Sequence, residues 1–213
     1  MTETDARRRH WQHVWQAGQA EKVSWYEPVP AVSLELIEAA ASAYDTPLVD
    51  VGGGASTLVD HLLARGYRGI TVLDIAASAF DAARRRLGGR AAMVEWVVAD
   101  VTRWDPPRRF GLWHDRAVFH FLVEESERDA YRATLARALA PGGWAVIATF
   151  APDAPPKCSG LPVMRHDPGA LTRTFAPLLE PVAWRRHVHV TPSGVVQPFT
   201  YGLFRHLGET AGG

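Results

Sequence analysis

Three consecutive glycines, Gly52, Gly53 and Gly54, follow Asp50 at the end of the apolar run "PLVDV". A backbone this bare can turn sharply and let a ligand approach the main chain. A phosphate cradle is the first chemistry it suggests, but neither phosphate pattern is complete. Thr57 stands where G-x-G-x-x-G needs its third glycine for close helix packing. No lysine follows to make a G-x-x-x-x-G-K-[ST] loop. A carboxylate just before the turn also repels a pyrophosphate. The expected ligand therefore brings a cation or a hydrogen-bond donor to Asp50 and carries no large anionic centre. Three further acids, Asp74, Asp100 and Asp115, end or follow apolar runs: "GITVLDI", "MVEWVVAD" and "FGLWHDRAVFHFL". Any one of them reads equally well as a loop acid or a helix cap. Four at equivalent places in a repeated unit read as one edge of a crevice.

The elements that must position these acids alternate regularly. Short apolar runs are separated by amphipathic stretches such as "ASTLVDHLLARG", "SAFDAARRRLGG" and "ESERDAYRATLARALAPGG", each stopped by glycine. Strand and helix alternate five times, ending with "WAVIATF", which predicts a doubly wound, mostly parallel α/β sheet with right-handed crossovers. Ligands in such sheets bind beyond the carboxyl ends of the strands, where the four acids lie. Residues 183–204 carry two strand-like runs around "TPSG", which predicts a closing antiparallel hairpin.

The 213 residues, 47% of them hydrophobic, suit a single domain over 1–213. Residues 1–30 are expected to form an N-terminal helix and a segment that precedes the alternation, and 151–171 an insertion after the fifth strand. Basic and acidic residues balance at 23 each, so nothing global points to nucleic acid or an anionic membrane. A single cysteine, Cys158, excludes an intrachain disulfide framework. With no apolar leader or spanning stretch, a cytoplasmic location is expected.

S-adenosylmethionine fits the chemistry of the crevice. Gly52, Gly53 and Gly54 let its methionine portion pass close to the backbone, with helix-start N–H groups around Ala55 and Ser56 facing its carboxylate. Asp50 is placed to hold the ammonium, directly or through water. Asp74 can accept both ribose hydroxyls, and Asp100 the adenine amino hydrogen, with Ile75 and Val101 on either side of the ring. "LVDVGGGAS", "ITVLDIAASAF", "VVADVTRW", "LWHDRAVFHFL" and "LAPGGWAVIATF" together resemble the class I S-adenosylmethionine-dependent methyltransferases of the compact, seven-stranded, Rossmann-like kind. That resemblance covers roughly residues 25–205. The family's first motif reads D-x-G-x-G-x-G, and Ser56 replaces its last glycine here. The resemblance implies the strand order 3-2-1-4-5-7-6 with the seventh strand antiparallel.

The implied reaction is an in-line displacement at carbon, which requires alignment, exclusion of water and, for a weak nucleophile, a base. The loop after strand four brings Asp115, Arg116, Phe119, His120 and Phe121 to the donor. Asp115 and Arg116 are expected on the cofactor side, Phe119 and Phe121 against the acceptor. His120 is the expected base, unless it is a structural histidine. Trp25 and Tyr26, in "VSWYEP", are expected to cover the site, Trp25 over the cofactor and Tyr26 nearer the acceptor. Trp11 and Trp15 share one helix face and are expected to anchor the helix. Lys157, Cys158 and Arg165 are expected around the acceptor's outer wall. His187 and His189 share a strand face, but no third ligand is apparent and no metal site is expected. A small-molecule acceptor is the leading expectation, with no membrane or obligate protein partner. Methylation of a protein lysine and cofactor binding without catalysis stand as alternatives. Nucleic acid is disfavoured because no basic stripe is present and "HDRA" ends strand four.

Overall fold

The computed structural model describes residues 3–17, 20–40 and 43–208. Two helices, α1 (Glu3–Ala17) and α2 (Ala31–Ala39), precede strand β1 (Leu48–Val51). Then follow α3 (Leu58–Ala64), β2 (Ile70–Asp74), α4 (Phe80–Leu87), β3 (Val94–Val98), β4 (Phe110–Arg116), α5 (Glu125–Ala138) and β5 (Leu139–Phe150). The 151–171 segment holds two short strands, β6 (Lys157–Cys158) and β7 (Leu161–Pro162), and opens α6 (Pro168–Phe175). The long antiparallel pair β8 (Leu179–Val190) and β9 (Val196–His206) completes the chain.

The seven-stranded sheet has the order β3-β2-β1-β4-β5-β9-β8. β1 to β5 pair in parallel, whereas β9 is antiparallel to both β5 and β8. The predicted fold class and terminal hairpin are therefore present. One strand, β5, is longer than its apolar run implies. β5 begins at Leu139, because Leu139 already pairs with Phe110, so helix α5 stops before the glycines rather than at them. Among the described residues no helix is long and apolar enough to cross a membrane.

Two apolar layers sandwich the sheet. Leu48, Leu112 and Val146 face Leu34, Ile37 and Leu62 on one side. Val49, Trp113 and Ile147 face Tyr131, Leu135 and Phe175 on the other. Each such side chain removed from water contributes about 1.5–3 kcal/mol. Successive residues of a strand point to opposite faces, and this period of two decides where each acid of the crevice points.

Candidate active site

A cavity with an empty volume of about 840 Å³, part of it open to solvent, lies at the carboxyl ends of β1, β2 and β3. Gly52, Asp74, Ile75, Asp100 and Val101 line one side of it. Ala117, Val118, Phe121 and Leu122 form the wall beyond β4. Trp11, Trp15 and Trp25 cover it, and Arg116, Cys158, Gln197 and Phe199 close the far end.

The glycine turn is built for close approach, though partly of the protein's own atoms. Gly52 (φ +67°) and Gly54 (φ +42°) occupy the left-handed region. A Cβ on Gly52 would run into Val118, and one on Gly54 would come within 3.0 Å of both Trp15 and the Asp74 carboxylate. Ala117, with φ of 73°, is one of two described non-glycine residues at positive φ. It turns the chain out of β4 and sets Val118 against the glycine loop. That conformation costs about 1–2 kcal/mol for an alanine. Ser56 sits just before α3, where its Oγ accepts from the Leu58 N–H at 3.1 Å.

The acids differ in environment. Burial raises the Asp74 pKa to about 7, the nearby Asp50 charge adds to the rise, and the Ala76 N–H at 2.9 Å opposes it. Asp100 accepts from the Thr102 N–H and hydroxyl at 3.0 and 2.7 Å. Asp50 is 3% exposed and faces α2. Its Oδ1 lies 2.7 Å from His114 Nδ1, whose Nε2 lies 2.9 Å from Ser33 Oγ. The other oxygen, Oδ2, is buried without a hydrogen-bond partner. Asp50, Gly53, Ser56 and Tyr26 line a second, smaller cavity, which shares Gly52, Trp15, Trp25 and Arg116 with the first.

Asp115 does not join the crevice. Asp50 pairs in register with His114, so the next residue faces the opposite layer. There Asp115 is fully buried and accepts from Tyr131 Oη at 2.6 Å and from the N–H groups of Val118 and Phe119. Burial raises its pKa to about 6, against the Tyr131 hydrogen bond. Asp115 therefore fixes the loop after β4 and touches no ligand space.

The same loop corrects two further assignments. Residues 119–121 form a single 3-10 turn, so their side chains splay about 120° apart at three residues per turn. Phe119 packs against Tyr131 and Phe175 in the core. His120 is fully buried between Phe121 and Phe150, and burial drives its pKa down to about 3, with His166 and Arg116 adding. His120 does not line the cavity, and its Nδ1 accepts a long hydrogen bond from the Phe150 N–H at 3.4 Å. Its placement is that of a structural histidine and does not match the expected base at the cavity. Phe121 alone reaches the cavity.

Of the three residues expected around an acceptor, Cys158 lines the cavity as a buried thiol whose pKa burial raises. Lys157 and Arg165 are exposed and line neither cavity. Arg165 is spent on the Ala154 carbonyl at 3.1 Å, inside its own insertion. Short strands alternate their side chains, so β6 can bury Cys158 only by exposing Lys157.

The N-terminal helix does more than anchor itself. Trp11 and Trp15 meet Trp25 edge-to-face with ring centroids 5.8 and 5.5 Å apart, and Trp11 also meets Phe121 at 5.0 Å. They line the cavity beside Trp25, whereas Tyr26 lines only the smaller one. Arg7, also from α1, reaches within 3.9 Å of Asp100 and pairs with Glu127. Arg116 ties the cover down. It donates to the Trp25 carbonyl and to Tyr201 Oη, both at 2.9 Å, and its Nη2 forms an ion pair with Glu27 at 3.0 Å without aligned hydrogen-bond geometry. Burial alone would raise the Glu27 pKa, but the His189 hydrogen bond and the Arg116 charge hold it down at about 2. Gln197 was missed in the sequence. A lone amide in the strand "VVQPFTYGLF" is its only trace there.

Residues 48–143 match a family described as methyltransferase domain. Nodulation protein S of Rhizobium tropici is 32% identical over 99 residues, which span 46% of this chain and 41% of that protein. A structure solved in work on the conversion of a disulfide bond into a thioacetal group during echinomycin biosynthesis superposes with a TM-score of 0.76 at 20% identity, covering 96% of this chain and 93% of that one. The N-methyltransferase NodS from Bradyrhizobium japonicum, solved with S-adenosyl-L-homocysteine, superposes with a TM-score of 0.69 at 16% identity, covering 92% and 97%. Both structural likenesses cover more than nine-tenths of the chain, and at these identities they speak for the fold. The methyltransferase-domain match over residues 48–143 runs from β1 into β5 of the seven-stranded sheet.

Proposed function

We propose that the protein transfers a methyl group from S-adenosylmethionine to a small molecule. The observation that carries this reading is the covered cavity, in which the Gly52 turn, Asp74 and Asp100 share one wall and Cys158 and Gln197 close the opposite end. Asp74 and Asp100 would hold the ribose and adenine, between Ile75 and Val101. Asp50, with its buried and unpartnered Oδ2, would take the ammonium across the shared wall of the two cavities. Gly53 and Ser56 lie beside it. When bound, the cofactor supplies a methyl on a sulfonium, which leaves as a neutral thioether. Trp11, Trp15 and Trp25 exclude water and offer aromatic faces to a cation.

The far end of the cavity offers Arg116, Cys158 and Gln197. None of these serves as a base near neutral pH: one is a guanidinium, one a thiol with a raised pKa, one an amide. This supports an acceptor that arrives with a free lone pair, such as an amine, positioned by Gln197 and packed against Phe121 and Phe199. The aromatic cover supports a metabolite rather than a protein side chain, which needs an open channel. A cytoplasmic location belongs to the same proposal, since a buried free thiol suits a reducing compartment. The test is calorimetry with S-adenosyl-L-homocysteine and NAD, followed by transfer of labelled methyl from the cofactor into fractionated small-molecule extracts. Binding of NAD in place of the homocysteine product would overturn the reading.

A further inference from the structure

Glu27, His187 and His189 converge beside the cavity, in a place the transfer chemistry does not use. Glu27 belongs to the strap of residues 24–28, whose Trp25 covers the cavity. The two histidines alternate on β8 and so share one face. Glu27 Oε1 lies 3.0 Å from His187 Nε2 and 3.3 Å from His189 Nδ1. One nitrogen or oxygen from each residue falls within 4.8 Å of the others, and among the described residues no other three His, Cys, Asp or Glu side chains meet this way.

We propose that Glu27, His187 and His189 form a binding site for a zinc-like divalent transition cation. Zinc bonds to imidazole nitrogen and carboxylate oxygen are about 2.0–2.2 Å, so neighbouring ligands on a tetrahedron stand about 3.3–3.5 Å apart. The carboxylate-to-imidazole spacings here are close to that edge. His189 Nε2 lies 2.7 Å from the Ser24 carbonyl. A carbonyl only accepts, so Nε2 must carry the hydrogen. In the neutral ring the Nδ1 lone pair then faces the carboxylate, and either a proton or a metal cation must lie between them. A second ring nitrogen tied to a carbonyl is the usual support of a metal-bound histidine.

Arg116 Nη2, an outer-shell partner, lies 3.0 Å from the same oxygen, Oε1, that faces the two histidines. Its positive charge weakens cation binding, and the ionised carboxylate offsets it. The His187 side chain is 32% exposed, which leaves an entry path and an open fourth position for water. Two imidazoles and one carboxylate favour zinc, nickel or copper over magnesium or calcium. The bound cation would clip the Trp25 strap to β8, which holds the cover closed without entering the transfer step.

The test is calorimetric titration of Zn²⁺ into chelator-treated full-length protein, with Mg²⁺ as the contrast. Saturation near one Zn²⁺ per chain is expected, with no comparable Mg²⁺ heat. His187→Gln and His189→Ala should each weaken Zn²⁺ binding by about tenfold or more, while His13→Ala, on the exposed side of α1, leaves it unchanged. Co²⁺ should give the visible absorption of a tetrahedral site in the parent and lose it in the two variants. Circular dichroism checks that each variant is folded, and His187→Gln, at the most exposed of the three positions, is the least able to disturb folding. Absence of saturable Zn²⁺ binding would overturn the proposal. So would parental Zn²⁺ affinity in folded His187→Gln protein. Neither readout depends on methyl transfer.

Discussion

Cofactor affinity should depend on pH through Asp74. Burial lifts this carboxyl to about 7, from an ordinary value of 3.8. Holding two ribose hydroxyls requires the ionised form, which only accepts hydrogen bonds. Protons and ligand therefore compete for the same oxygens. Below the pKa the affinity should fall tenfold per pH unit, so S-adenosyl-L-homocysteine should bind about tenfold more weakly at pH 6 than at pH 8. The unliganded protein responds in the opposite sense. A raised carboxyl pKa contributes stability that is fully present below the unfolded value near 4 and lost as pH rises through about 7. The thermal shift produced by the ligand should accordingly grow with pH. Asp74→Asn removes the charge and one acceptor. It should cost about 1–3 kcal/mol of binding at pH 8 and abolish the tenfold pH effect. The assay is isothermal calorimetry of parent and variant at pH 6, 7 and 8. Equal parental affinity at pH 6 and 8, or an Asp74→Asn variant with the parent's pH dependence, would refute the reasoning.

Three further outcomes follow from the geometry. Trp25→Ala removes two edge-to-face partners from α1, each pair worth about 0.5–1.5 kcal/mol, and should weaken S-adenosyl-L-homocysteine by about fivefold or more while the sheet stays folded by circular dichroism; unchanged affinity would show that the cover is dispensable. His120→Phe should keep its methyl-transfer rate and pH profile, because the ring is sealed between Phe121 and Phe150; a hundredfold lower turnover at unchanged melting temperature would restore His120 as a catalytic group. Asp115 is raised to about 6, so its contribution to stability is present below about 4 and lost as pH climbs through 6, by about 3 kcal/mol; Asp115→Asn should lack this slope in urea unfolding measured from pH 4 to 7, and a parallel slope in both proteins would contradict its burial as a charge.

The alternation of short apolar runs with glycine-stopped helices was enough to determine the parallel sheet, its terminal hairpin and the end of the sheet at which acids collect. These are local properties, set by periodicity of two or 3.6 and by where glycine and proline interrupt it. Asp74 and Asp100 were legible for the same reason: each terminates a run whose end must lie on the crevice. The direction of a side chain after the last regular residue was not legible. Asp50 and Asp115 look equivalent along the chain, yet the pairing of Asp50 with His114 sends Asp115 to the opposite layer. Phe119, His120 and Phe121 look like one wall, yet a 3-10 turn gives them three destinations. Lys157 and Cys158 are neighbours that a two-residue strand must separate. Contacts distant in sequence lay further out of reach. The helix carrying Trp11 and Trp15 has no pattern that says which face of the sheet it covers, and Glu27 meets His187 across 160 residues. Only the packing of α1 and the strap over the strand ends, and the long β8–β9 pair that carries His187, His189 and Gln197 back to β5, decided what surrounds the cavity.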